Sequence, residues 1–181
     1  KSLIKRQDKI QKQLKPKAER KCRYCGLSMP DVSFKDDAHM IPEMLGNKSF
    51  FSDFECASCN KLFGTYEDQF AKILEPYRTL YEIKGKENKI PTYAPKNENI
   101  RIESNDFFGK KNLKISRKTI DTKTFSFDKE KESIDINFDM HSFSPQKVYK
   151  FLLKLALSMS PDEEVKKHYQ IALDYLWNKT G

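Results

Sequence analysis

The chain contains two Cys-x-x-Cys pairs, Cys22-Arg23-Tyr24-Cys25 and Cys56-Ala57-Ser58-Cys59, with thirty residues between them that include the run Asp37-Ala38-His39-Met40-Ile41-Pro42-Glu43-Met44-Leu45-Gly46-Asn47. Each pair forms a tight knuckle, and a chain that folds back between them brings four thiolates into one tetrahedral site. Zinc is the predicted occupant, and a rubredoxin-type iron site or a redox dithiol are the alternatives. Because four sulfur ligands leave no open position on the metal, this zinc would be structural.

Positive charge is concentrated at the start of the chain. Residues 1–21 carry nine lysine and arginine side chains against two acidic ones, and the rest of the chain carries 25 against 24. A basic arm on a nearly neutral body suits contact with nucleic-acid phosphates, and it suits a solvated amphipathic helix almost as well. The recurrence of Leu3, Ile10 and Leu14 predicts such a helix over residues 2–15, ended by Pro16.

The composition narrows the class of protein. With 38% hydrophobic and 33% charged residues in 181, the chain fits neither a collagen nor a fully disordered protein. No run approaches the roughly 18 apolar residues of a membrane span, and the first residues lack the apolar core of a secretory signal. We therefore expect a cytoplasmic protein that does not enter a membrane. A homo-oligomer is compatible with the sequence but is not indicated by it.

Apolar periodicity outlines the secondary structure. A short strand is expected around residues 37–41, and a helix after Cys59 that ends at Pro76. Residues 84–99 are polar, contain two prolines and look like a connection. Alternating apolar residues then predict an antiparallel β meander with one buried face. The alternating residues are Ile100, Ile102, Leu113, Ile115, Phe125, Phe127, Ile134, Ile136 and Phe138.

Two helices are expected after the meander. Ser144-Pro145 and Ser160-Pro161 each place a capping residue before a proline at the first helical position, and Glu163 adds the acidic residue of a capping box to the second. The spacing predicts an apolar face on each helix. The predicted faces are Val148, Leu152, Leu155, Ala156 and Met159 on the first, and Val165, Tyr169, Ala172 and Leu176 on the second.

The order of motifs from Cys22 to about Leu74 resembles one known family. The ordered series is Cys-x-x-Cys, His39-x-Ile-Pro, Leu-Gly-Asn47, Cys-x-x-Cys-Asn60 and Phe-Gly-x-x-Glu-Asp. This series resembles the HNH (His-Asn-His) endonucleases, in the branch whose ββα-metal unit is held by a four-cysteine zinc. A single Cys-x-x-Cys pair would carry little weight, but the combined order is specific.

The resemblance implies hydrolysis of phosphodiester bonds in DNA. That reaction needs a deprotonated water in line with the leaving 3′ oxygen, and positive charge near the phosphate. His39 matches the family's general base, since a neutral imidazole can take a proton near pH 7. Asn60 matches the residue that holds a catalytic divalent ion, Mg²⁺ or Mn²⁺, at the start of the helix. A structural zinc would be bound by the four cysteines, Cys22, Cys25, Cys56 and Cys59.

Two positions depart from the family pattern. Many members have an acidic metal ligand immediately before the catalytic histidine, where this chain has Ala38. Asp37 and Glu67 are the acidic residues nearest to this position in the motif, and both are poorly placed. Asp37 points to the other side of a regular strand from Ala38, and Glu67 lies two helical turns beyond Asn60. The family's middle asparagine also has no clear match: Ser52 or Asp53 occupies its approximate register, and Asn47 is the alternative from the loop.

The predicted fold class is α+β, with a zinc-stabilised ββα-metal unit followed by an antiparallel β meander and two C-terminal helices. The predicted domains are a basic N-terminal helix or arm (1–21), an HNH nuclease domain (22–83), a linker (84–99) and an α+β C-terminal region of unknown role (100–181). The last helix pair looks, more loosely, like bacterial members of this branch in restriction or anti-phage defence.

Other interpretations remain open at this point. The protein could be a zinc-stabilised DNA-binding or scaffold module without catalytic activity, which Ala38 favours, or a zinc-stabilised protein-interaction domain. His39 could be packed against a zinc knuckle, and Asn60 could cap the helix that follows Cys59. His141 and His168 lack the spacing of ligands and are predicted to be ordinary surface or packing residues.

Overall fold

The computed structural model describes residues 14–35, 37–85, 89–95, 100–107, 110–117, 125–138 and 141–177. The chain forms two compact units: one consists of the described residues up to Phe70 together with those from Phe143 onward, and the other of Ala71–Ser142. Helices and antiparallel strand pairs are mixed in the described residues, so the predicted α+β class is confirmed. The helix predicted over residues 2–15 lies almost entirely outside the described residues.

The first unit begins with a ββα arrangement. Strand β1 (Ala38–His39) pairs antiparallel with β2 (Phe51–Ser52), so that His39 lies opposite Phe51. Helix α1 (Ala57–Leu80) begins at the residue after Cys56, so Cys59 lies in its first turn. Short 3₁₀ turns form at Lys17–Glu19 and Glu43–Leu45.

Helix α1 continues beyond the residue at which the sequence predicted its end. Pro76 lies inside the helix, which runs on to Leu80. A proline in a helix interior removes one backbone hydrogen bond. Thr79 is fully buried and donates its hydroxyl to the carbonyl of Pro91 at 2.8 Å, and this tertiary contact favours continuation of the helix.

The C-terminal residues of the first unit form three helices where two were predicted: α2 (Pro145–Met159), α3 (Asp162–His168) and α4 (Gln170–Trp177). The predicted cap of α2 is present, since Ser144 Oγ accepts a hydrogen bond from the backbone N–H of Lys147. The predicted Ser160 cap of the next helix is wrong. Ser160 ends α2 instead, and its hydroxyl donates to the carbonyl of Ala156 at 2.9 Å.

The predicted apolar face of α2 is also wrong. Leu152 and Met159 are exposed, at 45% and 53%. The buried residues of this helix are Lys150, Phe151, Lys154, Leu157 and Ser158. Two lysines thus occupy the buried face, where a count of apolar residues does not find them. On the following helices, Val165 and Leu176 are buried as predicted, whereas Tyr169 is exposed.

The second unit contains two β hairpins. Strands β3 (Ile100–Phe107) and β4 (Lys110–Arg117) pair antiparallel, as do β5 (Phe125–Asp128) and β6 (Ser133–Ile136). Within the described residues the two pairs are separate two-stranded sheets, so the predicted antiparallel strands form but do not join into one meander. None of the described helices combines the length and hydropathy needed to cross a membrane.

The core of the second unit includes a residue from the expected connection. Tyr93, Ile100 and Ile102 are buried together, and Tyr93 exchanges two backbone hydrogen bonds with Ile102 at 2.9 and 3.0 Å. Residues 86–88 and 96–99 of that connection lie outside the described part of the chain. The predicted domain boundaries stay a prediction.

Candidate functional site

The four cysteines gather at one place, as predicted. One ligand atom from each of Cys22, Cys25, Cys56 and Cys59 lies within 4.8 Å of all the others, and three of the four residues are buried. In the first knuckle, the N–H of Gly26 donates to the carbonyl of Cys22, and Gly26 adopts a φ of 73°, which glycine tolerates best. In the second knuckle, Cys59 lies in the first turn of α1.

The geometry of the thiols suits a tetrahedral zinc ion. Zinc–sulfur bonds of about 2.3 Å place tetrahedral sulfurs about 3.8 Å apart. The Sγ–Sγ distances are 3.4 Å for Cys22 and Cys59, 3.8 Å for Cys25 and Cys56, and 3.3 Å for Cys56 and Cys59. A hydrogen bond with Cys59 lowers the pKa of Cys22 to about 5, which favours the thiolate that a zinc ion binds. The cluster therefore fits a structural zinc site with all positions filled by sulfur.

His39 ends strand β1 and is half-buried beside an aromatic ring. Its imidazole lies 4.6 Å, between centroids, from the ring of Phe51, the residue opposite it on β2. Burial lowers the pKa of His39, and nearby charges modify the effect: Glu43 raises the pKa, and Lys48 and Lys154 lower it. The imidazole is therefore held in its neutral form at pH 7, as a general base requires.

Asn47 is the main organiser of the loop between the two strands. Its amide Nδ2 lies 3.2 Å from Nδ1 of His39 and donates to the carbonyls of Ile41 and Phe50 at 2.5 and 3.1 Å. Its Oδ1 accepts from the backbone N–H groups of Ser49 and Phe50. At 8% exposure the side chain is almost fully enclosed. A single buried amide thus joins both sides of the loop and the histidine ring.

The other two candidates for the middle asparagine have different partners. Ser52 Oγ accepts from the N–H of Phe54, and the Asp53 carboxylate accepts from the N–H of Lys15. Of the three candidates, Asn47 is the residue that contacts His39. Its hydrogen bonds to residues two and three positions later are typical of asparagine in a turn, and that local signal favours the loop position over the strand register.

Neither Asp37 nor Glu67 occupies the position of the acidic metal ligand, where this chain has Ala38. Ala38 is buried in the strand pair opposite Ser52, so a methyl group occupies the position before His39. Asp37 pairs with the buried guanidinium of Arg20, with 3.0 Å between Oδ1 and Nη1. Glu67 follows Asn60 by seven residues on α1, which is about 10 Å along a helix.

Asn60 lies inside the first turn of α1, not at its cap. The helix begins at Ala57, and the N–H of Asn60 donates to the carbonyl of Cys56. No hydrogen bond joins the side chains of Asn60 and His39 among the described residues. The four cysteines are also the sole group of three or more His, Cys, Asp or Glu in that part of the chain with ligand atoms close enough to share an ion.

Two buried charged residues next to this site were not singled out from the sequence. Glu55 immediately precedes Cys56 and is 1% exposed, and Lys154 of α2 is 6% exposed. The Lys154 ammonium lies 2.9 Å from Glu55 Oε2 and donates to the backbone carbonyl of His39 at 3.2 Å. Burial raises the pKa of Glu55, whereas Lys154 lowers it. No local motif predicts this pair, because its members come from distant parts of the chain.

The first cysteine knuckle is attached to the C-terminal helices by polar contacts. Arg23 donates to the carbonyls of Leu157 and Ser160 at 2.6 and 3.1 Å, and pairs with Asp162 at 3.1 Å. Its guanidinium also lies 3.8 Å from the ring centroid of Phe54. Tyr24 shares a hydrogen bond of 2.7 Å with Ser158, and its carbonyl accepts from Trp177 Nε1. These contacts therefore join helices α2 to α4 to the first cysteine knuckle.

The basic arm takes part in internal contacts where it is described. Lys17 Nζ donates to the carbonyl of Lys35 at 2.7 Å, and Arg20 Nε donates to the carbonyl of Lys15 at 2.9 Å.

The other two histidines, His141 and His168, each lie beside an acidic side chain. His141 lies 3.2 Å from Glu75, and His168 lies 3.8 Å from Glu164.

Comparison with known proteins finds a match for this part of the chain. Residues 22–72 match the family model described as HNH endonuclease. The match spans both cysteine knuckles, the β1–β2 pair and the first two-thirds of α1. No curated protein and no solved structure gave a significant match.

Proposed function

Because residues 22–72 belong to the HNH endonuclease family, we propose that the protein is a metal-dependent endonuclease that hydrolyses phosphodiester bonds of DNA. The observation that carries the proposal is the position of His39: a half-buried imidazole with a lowered pKa, adjoining the buried amide of Asn47 at the end of β1. The gathered thiols support the structural part of the proposal, a zinc ion on the four cysteines.

His39 is the proposed general base. The amide nitrogen of Asn47 lies 3.2 Å from Nδ1 of His39, next to the ring whose orientation the base requires. Both hydrogens of the Asn47 amide also have carbonyl acceptors, on Ile41 and Phe50. The amide does not depend on the ring for a hydrogen-bond partner, and the unprotonated nitrogen of the neutral imidazole takes the proton of the attacking water.

The donor groups fit a weakly held catalytic ion. A bound Mg²⁺ or Mn²⁺ would supply positive charge to the scissile phosphate and the leaving oxygen. Asn60 offers one neutral oxygen to such an ion, and the position of the usual second ligand is Ala38. Magnesium in proteins commonly keeps several waters and relies on substrate phosphates. Asn60 would thus hold the ion together with water and the DNA itself.

Cleavage of plasmid DNA tests this proposal. Supercoiled plasmid is incubated with the zinc-loaded protein and millimolar Mg²⁺ or Mn²⁺, beside His39→Ala. The matched control is His168→Ala, which removes an exposed histidine that pairs with Glu164. We expect nicking by the unmodified protein and the control, and a loss of at least about 100-fold in His39→Ala, in line with general-base contributions. Equal rates for the two histidine variants would reject the proposed base.

One observation favours a second candidate, a DNA-binding or scaffold module that has lost cleavage. The buried methyl of Ala38 stands where many family members have an acidic ligand. Such a module would bind DNA with strong salt dependence but show no divalent-ion requirement and no turnover. A role in restriction or anti-phage defence, and a cytoplasmic location that keeps the thiols reduced, belong to the proposal as its biological setting.

A further inference from the structure

Lys154 is a buried cation that contacts the proposed active site at the backbone of His39. It lies on α2, 115 residues from His39 in the chain, and its ammonium donates to the His39 carbonyl at 3.2 Å. The same ammonium lies 2.9 Å from Glu55 Oε2 and 5.9 Å from the centroid of the Phe63 ring. One group thereby joins α2, the end of β1 and the residue before Cys56.

We propose that Lys154 is a positioning residue of the nuclease site, which holds the main chain at His39 and makes helix α2 part of the catalytic apparatus. This inference rests on the proposed function. It extends that function beyond residues 22–72, the segment that matches the family. The general base is thus oriented from two sides, by Asn47 at the ring and by Lys154 at the backbone.

Stability alone gives a poor reason for an ammonium in this place. Removing a lysine from water is costly, and apolar residues of similar volume often replace buried ion pairs without loss of stability. The pair is also incompletely satisfied, because neither oxygen of Glu55 has a hydrogen bond of good geometry despite the short distance to Lys154. The His39 carbonyl, in contrast, lies at the end of a two-residue strand, and a hydrogen bond from the charged Lys154 ammonium holds it in position.

Helix α2 is a firm support for this lysine. Three residues after Lys154, the carbonyl of Leu157 accepts from Arg23 at 2.6 Å, and Ser158 shares a hydrogen bond with Tyr24 at 2.7 Å. Both partners belong to the first cysteine knuckle. A side chain on a helix that is anchored in this way is well suited to hold a catalytic element, because hydrogen bonds fix the position of the helix backbone.

The charges around His39 support the same role. Glu43 raises the pKa of His39, and Lys48 and Lys154 lower it, in addition to the effect of burial. Glu43 and Lys48 form an ion pair with each other, and their effects on the pKa of His39 are opposite in sign. Loss of the Lys154 charge is therefore expected to raise the pKa of His39.

Substitution of Lys154 tests the proposal. Lys154→Met alone leaves Glu55 buried without its partner, so the main variant is the double Lys154→Met/Glu55→Met, in which apolar residues of similar volume replace the pair. Lys154→Arg is the conservative rescue. The matched control is Lys150→Met, one helical turn away, which removes a buried ammonium that lies over the rings of Tyr66 and Tyr175.

Three measurements are made on each zinc-loaded variant: zinc content with thermal melting, kcat and KM for DNA cleavage, and the pKa of His39 from NMR titration without added magnesium. With three histidines in the chain, the His39 signal is assigned from the His39→Ala spectrum. We expect the double variant to be folded, with kcat lowered about 10- to 100-fold, KM changed much less and the pKa of His39 shifted, because the main chain that carries the ring has lost the Lys154 hydrogen bond. Lys154→Arg should recover most of the activity, and Lys150→Met should stay within about threefold of the unmodified protein.

Two results would overturn the role of Lys154: a folded double variant with unchanged kcat and unchanged His39 pKa, or an equal loss in Lys150→Met. A failure of the proposed function looks different. If the unmodified protein shows no His39-dependent cleavage, the nuclease proposal is rejected, while the NMR titration still decides whether Lys154 acts on His39.

Discussion

The side-chain amide of Asn47 lies 3.2 Å from the imidazole Nδ1 of His39, eight positions earlier in the chain, and the same amide bonds to both sides of the loop between β1 and β2. A ring at the end of a two-residue strand has little support from the strand itself. Asn47 supplies that support, because its hydrogen bonds fix the loop and its nitrogen fixes the ring.

Replacement of Asn47 should therefore affect stability and cleavage together. Asn47→Ala leaves the carbonyl of Ile41 and the N–H groups of Ser49 and Phe50 without this partner, which is expected to cost about 1–3 kcal/mol of unfolding free energy. Urea denaturation measures that loss. A variant as stable as the unmodified protein would contradict the role of Asn47 in the loop.

Asn47→Asp tests the donor side of the amide and its effect on the pKa of His39. The aspartate keeps an acceptor for the N–H groups but loses the donor, and its charge beside the ring raises the pKa of His39. We expect a cleavage rate reduced about tenfold or more at neutral pH, together with a loss of stability, because the carboxylate faces the carbonyls of Ile41 and Phe50 without a hydrogen to donate. Asn112→Asp, which adds the same charge in the other unit, serves as the control and should cleave normally.

The pH dependence of cleavage follows from the lowered pKa of His39. A base acts in its neutral form, and burial favours that form, so activity should persist below the ordinary histidine pKa of about 6.5 and fall only at more acidic pH. A profile of kcat/KM against pH at saturating Mg²⁺ measures the midpoint of the acidic limb. A midpoint above 6.5 would be inconsistent with this assignment.

Removal of a zinc ligand should unfold the first unit. Cys56→Ser takes one sulfur from the cluster, and structural zinc sites contribute a large part of the folding energy of small domains. We expect loss of bound zinc and a marked fall in melting temperature, measured by metal analysis and circular dichroism. Ser58→Ala, which removes a hydroxyl 3.5 Å from Cys56 Sγ, is the control. Unchanged zinc content in Cys56→Ser would refute the structural role.

Asn60 should govern the divalent-ion requirement. Asn60→Ala removes the proposed protein oxygen, so the Mg²⁺ concentration for half-maximal cleavage should rise about 10-fold while zinc content and melting stay the same. Its backbone N–H, which bonds to Cys56, is unaffected by the substitution. An unchanged Mg²⁺ dependence would show that the ion is held by other groups.

Local features of the chain were predictable. A Cys-x-x-Cys pair specifies its own knuckle, and the short strand at His39 and the helix after Cys59 follow from nearby residues. The order of these motifs also predicted the family, which the match over residues 22–72 confirms. The meander was predicted from alternation alone, and alternation finds strands without specifying which hairpins share a sheet.

Helix α2 shows where pattern reasoning fails. The apolar residues Leu152 and Met159 were assigned to the core, yet they are exposed, and Lys150 and Lys154 are buried. Hydrophobic periodicity counts lysine as a surface residue, so it cannot find a face that is buried through ion pairing and contact with aromatic rings. The end of α1 was missed for a similar reason, since the contact of Thr79 with Pro91 lies outside any local window.

The amino-acid sequence by itself determined the four-sulfur cluster, the position of His39 and the chemistry that these residue types suit, because knuckles, turns and motif order depend on neighbours a few residues apart. Tertiary structure alone decided that Lys154 meets the His39 carbonyl from 115 residues away, and that the same ammonium lies beside Glu55. Such contacts arise when separately formed elements pack together, and the free energy of that packing depends on groups that no local pattern brings side by side.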